Sequence, residues 1–290
     1  MANELLPLES LDQIIRAALD EDLSQGDITG STLIPADLKG QARLLAKEAG
    51  VMAGMPVVRR VFWHLDPTIK TEVLISDGQL VKPGDTVAVI SGSILKILQG
   101  ERLALNFLSH LSGISSLTTR YRARVGNSPV RICDTRKTTP GLRLLEKYAV
   151  KMGGGNNHRF NLGDAILIKD NHIAALRAEG LSLQDIVARA RQNAPHGMPV
   201  EIEVSTAEEA AAAAAGEPDT IMLDNIPPAE MRLIRGLLPP QIKIEASGGI
   251  NLETVGDAAA TGVDIISIGA LTHSAPAIDF SLEITPDAVT

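Results

Sequence analysis

Aromatic residues are scarce in this chain: one Trp, two Tyr and four Phe among 290 residues. The core must therefore be built from Ala, Val, Ile and Leu, and base-stacking platforms for single-stranded nucleic acid are not expected. Cys133 is the only cysteine, which excludes an intramolecular disulfide and a Cys-based zinc site. No apolar run reaches the ~18 residues of a transmembrane helix, and Met1 to Asp12 lacks a basic stretch followed by an apolar one. Positive charge is also in deficit, with 27 Lys/Arg against 35 Asp/Glu and a net charge of −8. That balance argues against a nucleic-acid or anionic membrane surface. A cytoplasmic globular protein is expected.

The basic residues that exist are concentrated. Eight (Arg131, Arg136, Lys137, Arg143, Lys147, Lys151, Arg159, Lys169) lie between Arg131 and His172, against four acids (Asp134, Glu146, Asp164, Asp170). A basic island in an acidic chain points to a focused anion site.

Periodicity divides the chain. Residues 8–22 predict a helix with Leu11, Ile14, Ile15, Ala18 and Leu19 on one face and Ser10 as its cap. From Gln41 to Ser93 the pattern is strand-like, and residues 77–90 alternate as an antiparallel ribbon with a turn at Pro83-Gly84-Asp85. A long helix is expected over 97–124. Beyond Val125, β-branched runs at 130–133, 165–168, 200–204, 220–223, 242–246 and 265–268 alternate with helices. Ser205 with Glu208, Ser182 and Asn251 are the expected N-caps, with Gly216 and Gly262 as stops. This alternation predicts parallel β/α units, in a barrel or a doubly wound sheet.

Each of the six strands delivers polar or glycine residues at the same end. An open sheet gathers its site at one switch point, whereas a barrel brings all strand ends to one pocket, so a barrel is the better fit. Arg136, Lys137, His158, Arg159, Lys169 and His172 form a candidate cage for several anionic groups. Ser247-Gly248-Gly249 and Gly269-Ala270, after the last two strands, are candidate phosphate loops. Glu203 and Asp224 could serve ribose hydroxyls, a magnesium ion or a developing carbocation, and Glu201 shares a strand face with Glu203. The run Gly153–Gly155 either caps a helix or frees the segment carrying His158 and Arg159. Cys133, inside an apolar run, reads as a buried structural thiol. A biotinyl- or lipoyl-type carrier hairpin at 77–92 is the rival from another class; Lys82 precedes Pro83-Gly84 without flanking Met residues.

Longer motifs carry a resemblance. The segments 134–143 (DTRKTTPGLR), 153–159, 167–172 (LIKDNH), 201–204 (EIEV), 222–225 (MLDN) and 245–249 (EASGG) strongly resemble the quinolinate phosphoribosyltransferases. Glu21-Asp22, Gly26-Asp27, Thr29 and 101–106 (ERLALN) extend the likeness over nearly the whole length, with Ser24 standing where that family more often has Gly. The resemblance implies an N-terminal α/β sandwich domain at 1–115, an incomplete seven-stranded β/α barrel at 116–275, and a tail at 276–290 that returns to the first domain. It implies quinolinate and phosphoribosyl pyrophosphate as substrates and Mg2+ as cofactor. It further implies a homodimer, with assembly to a hexamer allowed, in which Arg102 completes the partner's site. By the same resemblance, Arg136, His158, Arg159 and Lys169 contact quinolinate or phosphates and Lys137 the phosphoribosyl donor. Glu203, chosen over Glu201 by its spacing to Asp224, serves ribose and metal with Asp224, while 247–249 and 269–270 hold the 5′-phosphate. A related enzyme acting on nicotinate is disfavoured, because a cage for two carboxylates exceeds what that substrate needs.

Overall fold

The computed structural model describes residues 6–287, so the first five residues and the last three of the expected returning tail lie outside it. The chain forms two compact units. One comprises the chain through Thr119, the segment Thr138–Gly154 and the chain from Leu271 on; the other comprises Arg120–Lys137 and Gly155–Ala270.

In the first unit, the helix Leu8–Leu23 buries Leu11, Ile15 and Leu19, a spacing of four that lines one face. Ser10 lies within its first turn and Pro7 holds the N-cap position, because proline's fixed φ suits a helix start. The strands are β1 (Lys39–Ala46), β2 (Gly50–Val51), β3 (Lys70–Val73), β4 (Leu80–Val81) and β5 (Thr86–Ser93). The C-terminal strand β12 (Phe280–Pro286) joins them in an antiparallel sheet of order β12-β1-β5-β3. Strand β1 pairs with β12 from Gly40↔Pro286 to Ala46↔Phe280, which ties the C-terminal strand into this unit.

The expected ribbon at 77–90 is corrected. The turn forms, with the Lys82 amide bonded to Asp85 Oδ2 at 2.8 Å, but its flanks do not pair with each other. Strand β4 pairs with β2, while β5 lies between β1 and β3. A larger apolar surface is buried by joining the sheet than by closing a two-stranded hairpin. The helix Met55–Leu65 starts on Gly54 (φ 118), and Asp77 accepts both the Gly54 and Met55 amides at 2.8 and 3.1 Å.

The long helix spans Ile94–Val125. In the second unit, six strands follow: β6 (Arg131–Cys133), β7 (Ile166–Ile168), β8 (Val200–Val204), β9 (Thr220–Asp224), β10 (Lys243–Ser247) and β11 (Ile265–Ser267). All pairs are parallel, in the order β6-β11-β10-β9-β8-β7. Their Val, Ile and Leu side chains are nearly all buried, the composition of a parallel sheet covered on both faces. Among the described residues this sheet has six strands rather than seven. At its β6 edge, Asn156 makes a single parallel bridge to Cys133, its amide bonded to Ile132 O and its carbonyl to the Asp134 amide. The glycines at 153–155 leave no side chains to extend that bridge into a strand.

Ser182 caps its helix through the Asp185 amide, as expected. Two other caps are displaced. Thr206, still extended at φ −140, accepts the Glu209 amide, and Glu209 accepts the Ser205 amide, one residue later than Ser205 with Glu208. Asn251 accepts the Glu253 and Thr254 amides in a turn, and the helix begins only at Val255. Among the described residues no helix is long and apolar enough to cross a membrane.

Candidate active site

Because the six strands run parallel, their carboxyl ends lie on one side, where a barrel collects its functional side chains. A cavity of about 550 Å³ opens there. Arg136 and Lys137 reach it from the loop after β6, His158 and Arg159 from beyond the Asn156 bridge, and Lys169 from the end of β7. Glu203, Asp224 and Ser247–Gly249 line it from β8, β9 and β10. Five cationic or histidine side chains and the two expected acids thus share one cavity.

Not every expected residue is part of that lining. His172 is exposed, and its Nδ1 accepts the Lys169 amide at 3.0 Å in the first turn of the helix Asp170–Arg177. Local capping claims the ring that the sequence offered to the ligand. Gly269 and Ala270 follow β11 but stand outside the lining. Arg102 is exposed on the long helix of the first unit.

Within the cavity, Lys169 Nζ pairs with Glu203 Oε2 at 2.5 Å. Arg159 is more readily deprotonated than an ordinary arginine, first through burial and then through repulsion from Arg136. The Glu201 and Asp164 carboxylates offset part of that repulsion. Also lining the cavity, Asn225 (φ 56), Gly248 (φ 86) and Gly249 (φ 62) adopt left-handed backbone across two loops. A Cβ on Gly248 would lie 2.4 Å from Asn225 Oδ1, so glycine is required there. The Asn225 amide is bonded to Ser247 O at 2.9 Å and its side chain donates to Asp224 Oδ2 at 2.9 Å.

The floor contains groups that sequence reasoning left without a role. Glu245 and Ser267 line the cavity and are almost fully buried, as is Glu201. His158 Nε2 stands 3.2 Å from Glu201 Oε2 and 3.4 Å from Glu245 Oε2. Burial opposes a charge on the ring, while hydrogen bonds and attraction from both carboxylates favour one. Burial likewise pushes the Glu201 carboxyl up. One contact runs against a fully charged ring: His158 Nδ1 accepts the Arg159 amide at 2.9 Å. Two N–H groups cannot face each other at that separation, so in this conformation Nδ1 keeps its lone pair and the ring proton is on Nε2. The directed contact outweighs the diffuse field in fixing the tautomer. Charged residues inside otherwise apolar strands were the available signal for Glu201 and Glu245; Thr135, Asn225 and Ser267 gave none beyond their places at strand ends.

Fold and cavity together define an α/β enzyme with a cation-rich cavity at the carboxyl ends of six parallel strands. Residues 27–112 match the quinolinate phosphoribosyl transferase N-terminal domain and residues 114–283 the C-terminal domain. A probable nicotinate-nucleotide pyrophosphorylase (carboxylating) of Bacillus subtilis is 42% identical over 91% of this chain and 90% of its own. A nicotinate-nucleotide pyrophosphorylase (carboxylating) of Mycobacterium leprae is 39% identical over 93% of this chain and 95% of its own. The crystal structure of NadC from Streptococcus pyogenes superposes with a TM-score of 0.93 at 42% identity, covering 98% of this chain and 99% of that one. The chain belongs to the quinolinate phosphoribosyltransferase family.

Proposed function

We infer that this chain transfers a phosphoribosyl group from phosphoribosyl pyrophosphate to quinolinate with loss of carbon dioxide. The products are nicotinate mononucleotide and pyrophosphate, a step of NAD biosynthesis. The observation that carries the reading, beside family membership, is the single cavity that joins Arg136, Lys137, His158, Arg159 and Lys169 to Glu203 and Asp224. Quinolinate has two carboxylates and the donor three phosphorus centres, so binding calls for Arg forks and Lys point charges. Departure of pyrophosphate builds positive charge at ribose C1′, which fixed carboxylates stabilise. Once its nitrogen is glycosylated, the pyridine ring is cationic; loss of the C2 carboxylate as carbon dioxide leaves an electron pair at C2, stabilised by the adjacent positive nitrogen until a proton from solvent takes the vacated position. No protein nucleophile enters this scheme.

Residue roles follow the same chemistry. Arg136, Arg159 and Lys169 receive the quinolinate carboxylates, with His158 beside them, and Lys137 receives the phosphoribosyl donor. The 247–249 loop, continued by Gly269 and Ala270, takes the 5′-phosphate on its backbone amides. Glu203 and Asp224 fit Mg2+: both are hard oxygen donors facing one cavity, and this ion is commonly held by one or two carboxylates together with substrate phosphates. Bound there, the ion would neutralise charge on the pyrophosphate group. The working assembly is a homodimer, open to a hexamer, in which the exposed Arg102 of one copy completes the other's site, and the protein acts in the cytoplasm. The Asn156 bridge is the remnant of the seventh barrel strand.

Pyrophosphate release with purified chain, Mg2+ and the donor tests the reading. Quinolinate supports turnover, nicotinate does not, and Lys137→Ala abolishes it. Equal turnover with nicotinate, or intact turnover in the variant, contradicts it.

A further inference from the structure

Among the described residues, His158, Glu201 and Glu245 bring three ligand-type atoms within 4.8 Å of one another at the cavity floor. Such a trio could hold a divalent ion, but the ring is turned the wrong way. A histidine that ligates a metal through one nitrogen donates the N–H of the other. Here Nδ1 accepts the Arg159 amide, so Nε2 bears the proton and faces Glu201 Oε2 at 3.2 Å and Glu245 Oε2 at 3.4 Å. The trio is a hydrogen-bonded support.

We propose that Glu245 and Glu201 are positioning residues for the quinolinate site, anchoring His158 through Nε2–H and, through it, the adjoining Arg159. This rests on the functional reading above. The segment they hold needs anchoring. It follows the 153–155 glycines and precedes the exposed residues 161–164. Its backbone is held by the Asn156 bridge and by Asp134 Oδ1, which accepts the His158 amide at 2.9 Å. Neither contact fixes a side chain. The ring is fixed between Arg159's amide on Nδ1 and two carboxylates on Nε2, delivered from β8 and β10 on either side of β9. Glu245 is 1% exposed, and among the described residues neither of its oxygens has a hydrogen-bond partner. A buried carboxylate in that condition is costly to keep, and the group it faces is His158.

The test is a double-mutant cycle on quinolinate KM, kcat and donor KM, with Tm as control. Glu245→Met, which keeps volume and removes the acceptor, raises quinolinate KM at least tenfold and leaves kcat and donor KM within threefold. Glu245→Gln, which keeps an acceptor, restores most of the loss. In a His158→Ala background Glu245→Met adds less than twofold, because its effect passes through the ring. A full tenfold effect in that background, or an unchanged KM in the single variant, overturns the proposal. Nitrogen NMR of histidine-labelled protein without substrate gives a second reading, one that is independent of turnover. It finds His158 protonated at Nε2 only, and its signals move in Glu245→Met; a proton on Nδ1, or unmoved signals, overturns the proposal. A wild-type chain inactive with quinolinate ends the functional reading, and the NMR result then decides the positioning role by itself.

Discussion

Lys169 and Glu203 face each other from adjacent strands, Nζ to Oε2 at 2.5 Å, at the mouth of a cavity otherwise rich in cations. The pair keeps an acid poised among positive charges, with the lysine half-exposed and the carboxylate largely covered. Removing the acid separates its two effects. Glu203→Gln lowers kcat about a hundredfold, the scale of losing one group aimed at transition-state charge. Quinolinate KM does not rise, because Lys169 is released for the substrate. Steady-state kinetics with each substrate varied checks this; a raised quinolinate KM with unchanged kcat contradicts it.

Arg159 and Arg136 make the converse case. Their mutual repulsion adds to burial in weakening the hold of Arg159 on its proton. Arg159→Met therefore leaves Tm unchanged or higher while quinolinate KM rises about ten- to a hundredfold, the worth of one charge-assisted hydrogen-bonded pair. Thermal unfolding and initial rates on the same preparation check both halves. A fall in Tm would make the arginine a stabilising residue.

Much of this site was legible in the chain because strand ends announce themselves. A β-branched run that stops at Asp134-Thr135-Arg136-Lys137 or at Lys169 tells where polar groups emerge, and parallel pairing gathers them. What was not legible depends on competition between local and distant partners. His172 carries the right chemistry, yet the amide three residues before it takes its ring nitrogen. Glu201 and Glu245 meet His158 across more than forty residues of sequence, a relationship no spacing rule contains. The helix caps shifted by one position at Thr206, since either hydroxyl of the Ser205-Thr206 pair could accept and backbone geometry chose between them. The partner of β4 was hidden for the same reason, because it pairs with the sequence-distant β2 in a two-stranded sheet of their own.

Gly248 gives a prediction independent of charge. At φ 86, with Asn225 Oδ1 at 2.4 Å from where a Cβ would be, Gly248→Ala must displace the Asn225 side chain and the turn it supports. Donor KM rises by about tenfold or more, given the strain of a left-handed non-glycine residue added to the clash. Quinolinate binding, measured by calorimetry without donor, stays within threefold. Loss of quinolinate binding instead would show that the loop serves the other substrate.

A stability prediction concerns the first unit. Asp12 accepts hydrogen bonds from Arg60, the Nη2 bond at 2.6 Å, and contacts His64 Nε2 at 3.0 Å. The Arg60 hydrogen bond, against the opposing effect of burial, and then His64 hold its carboxyl well below the usual carboxylate range. A depressed value in the folded state means stability that is complete above the ordinary carboxylate pKa of about 4 and lost as pH falls below it. Asp12→Asn therefore costs about 1–3 kcal/mol at pH 7, the penalty for leaving a charged partner unsatisfied. By pH 3 the difference from wild type has shrunk. Urea unfolding at the two pH values checks this, and an equal difference at both would contradict it.

Carbon dioxide measured against pyrophosphate tests the central claim most directly. With quinolinate labelled in the carboxyl group beside the ring nitrogen, phosphoribosyl pyrophosphate and Mg2+, one labelled carbon dioxide leaves per pyrophosphate released, and neither forms without the donor. Pyrophosphate formed without labelled carbon dioxide, or labelled carbon dioxide formed without the donor, would contradict a cavity that joins quinolinate to ribose before expelling its carboxylate.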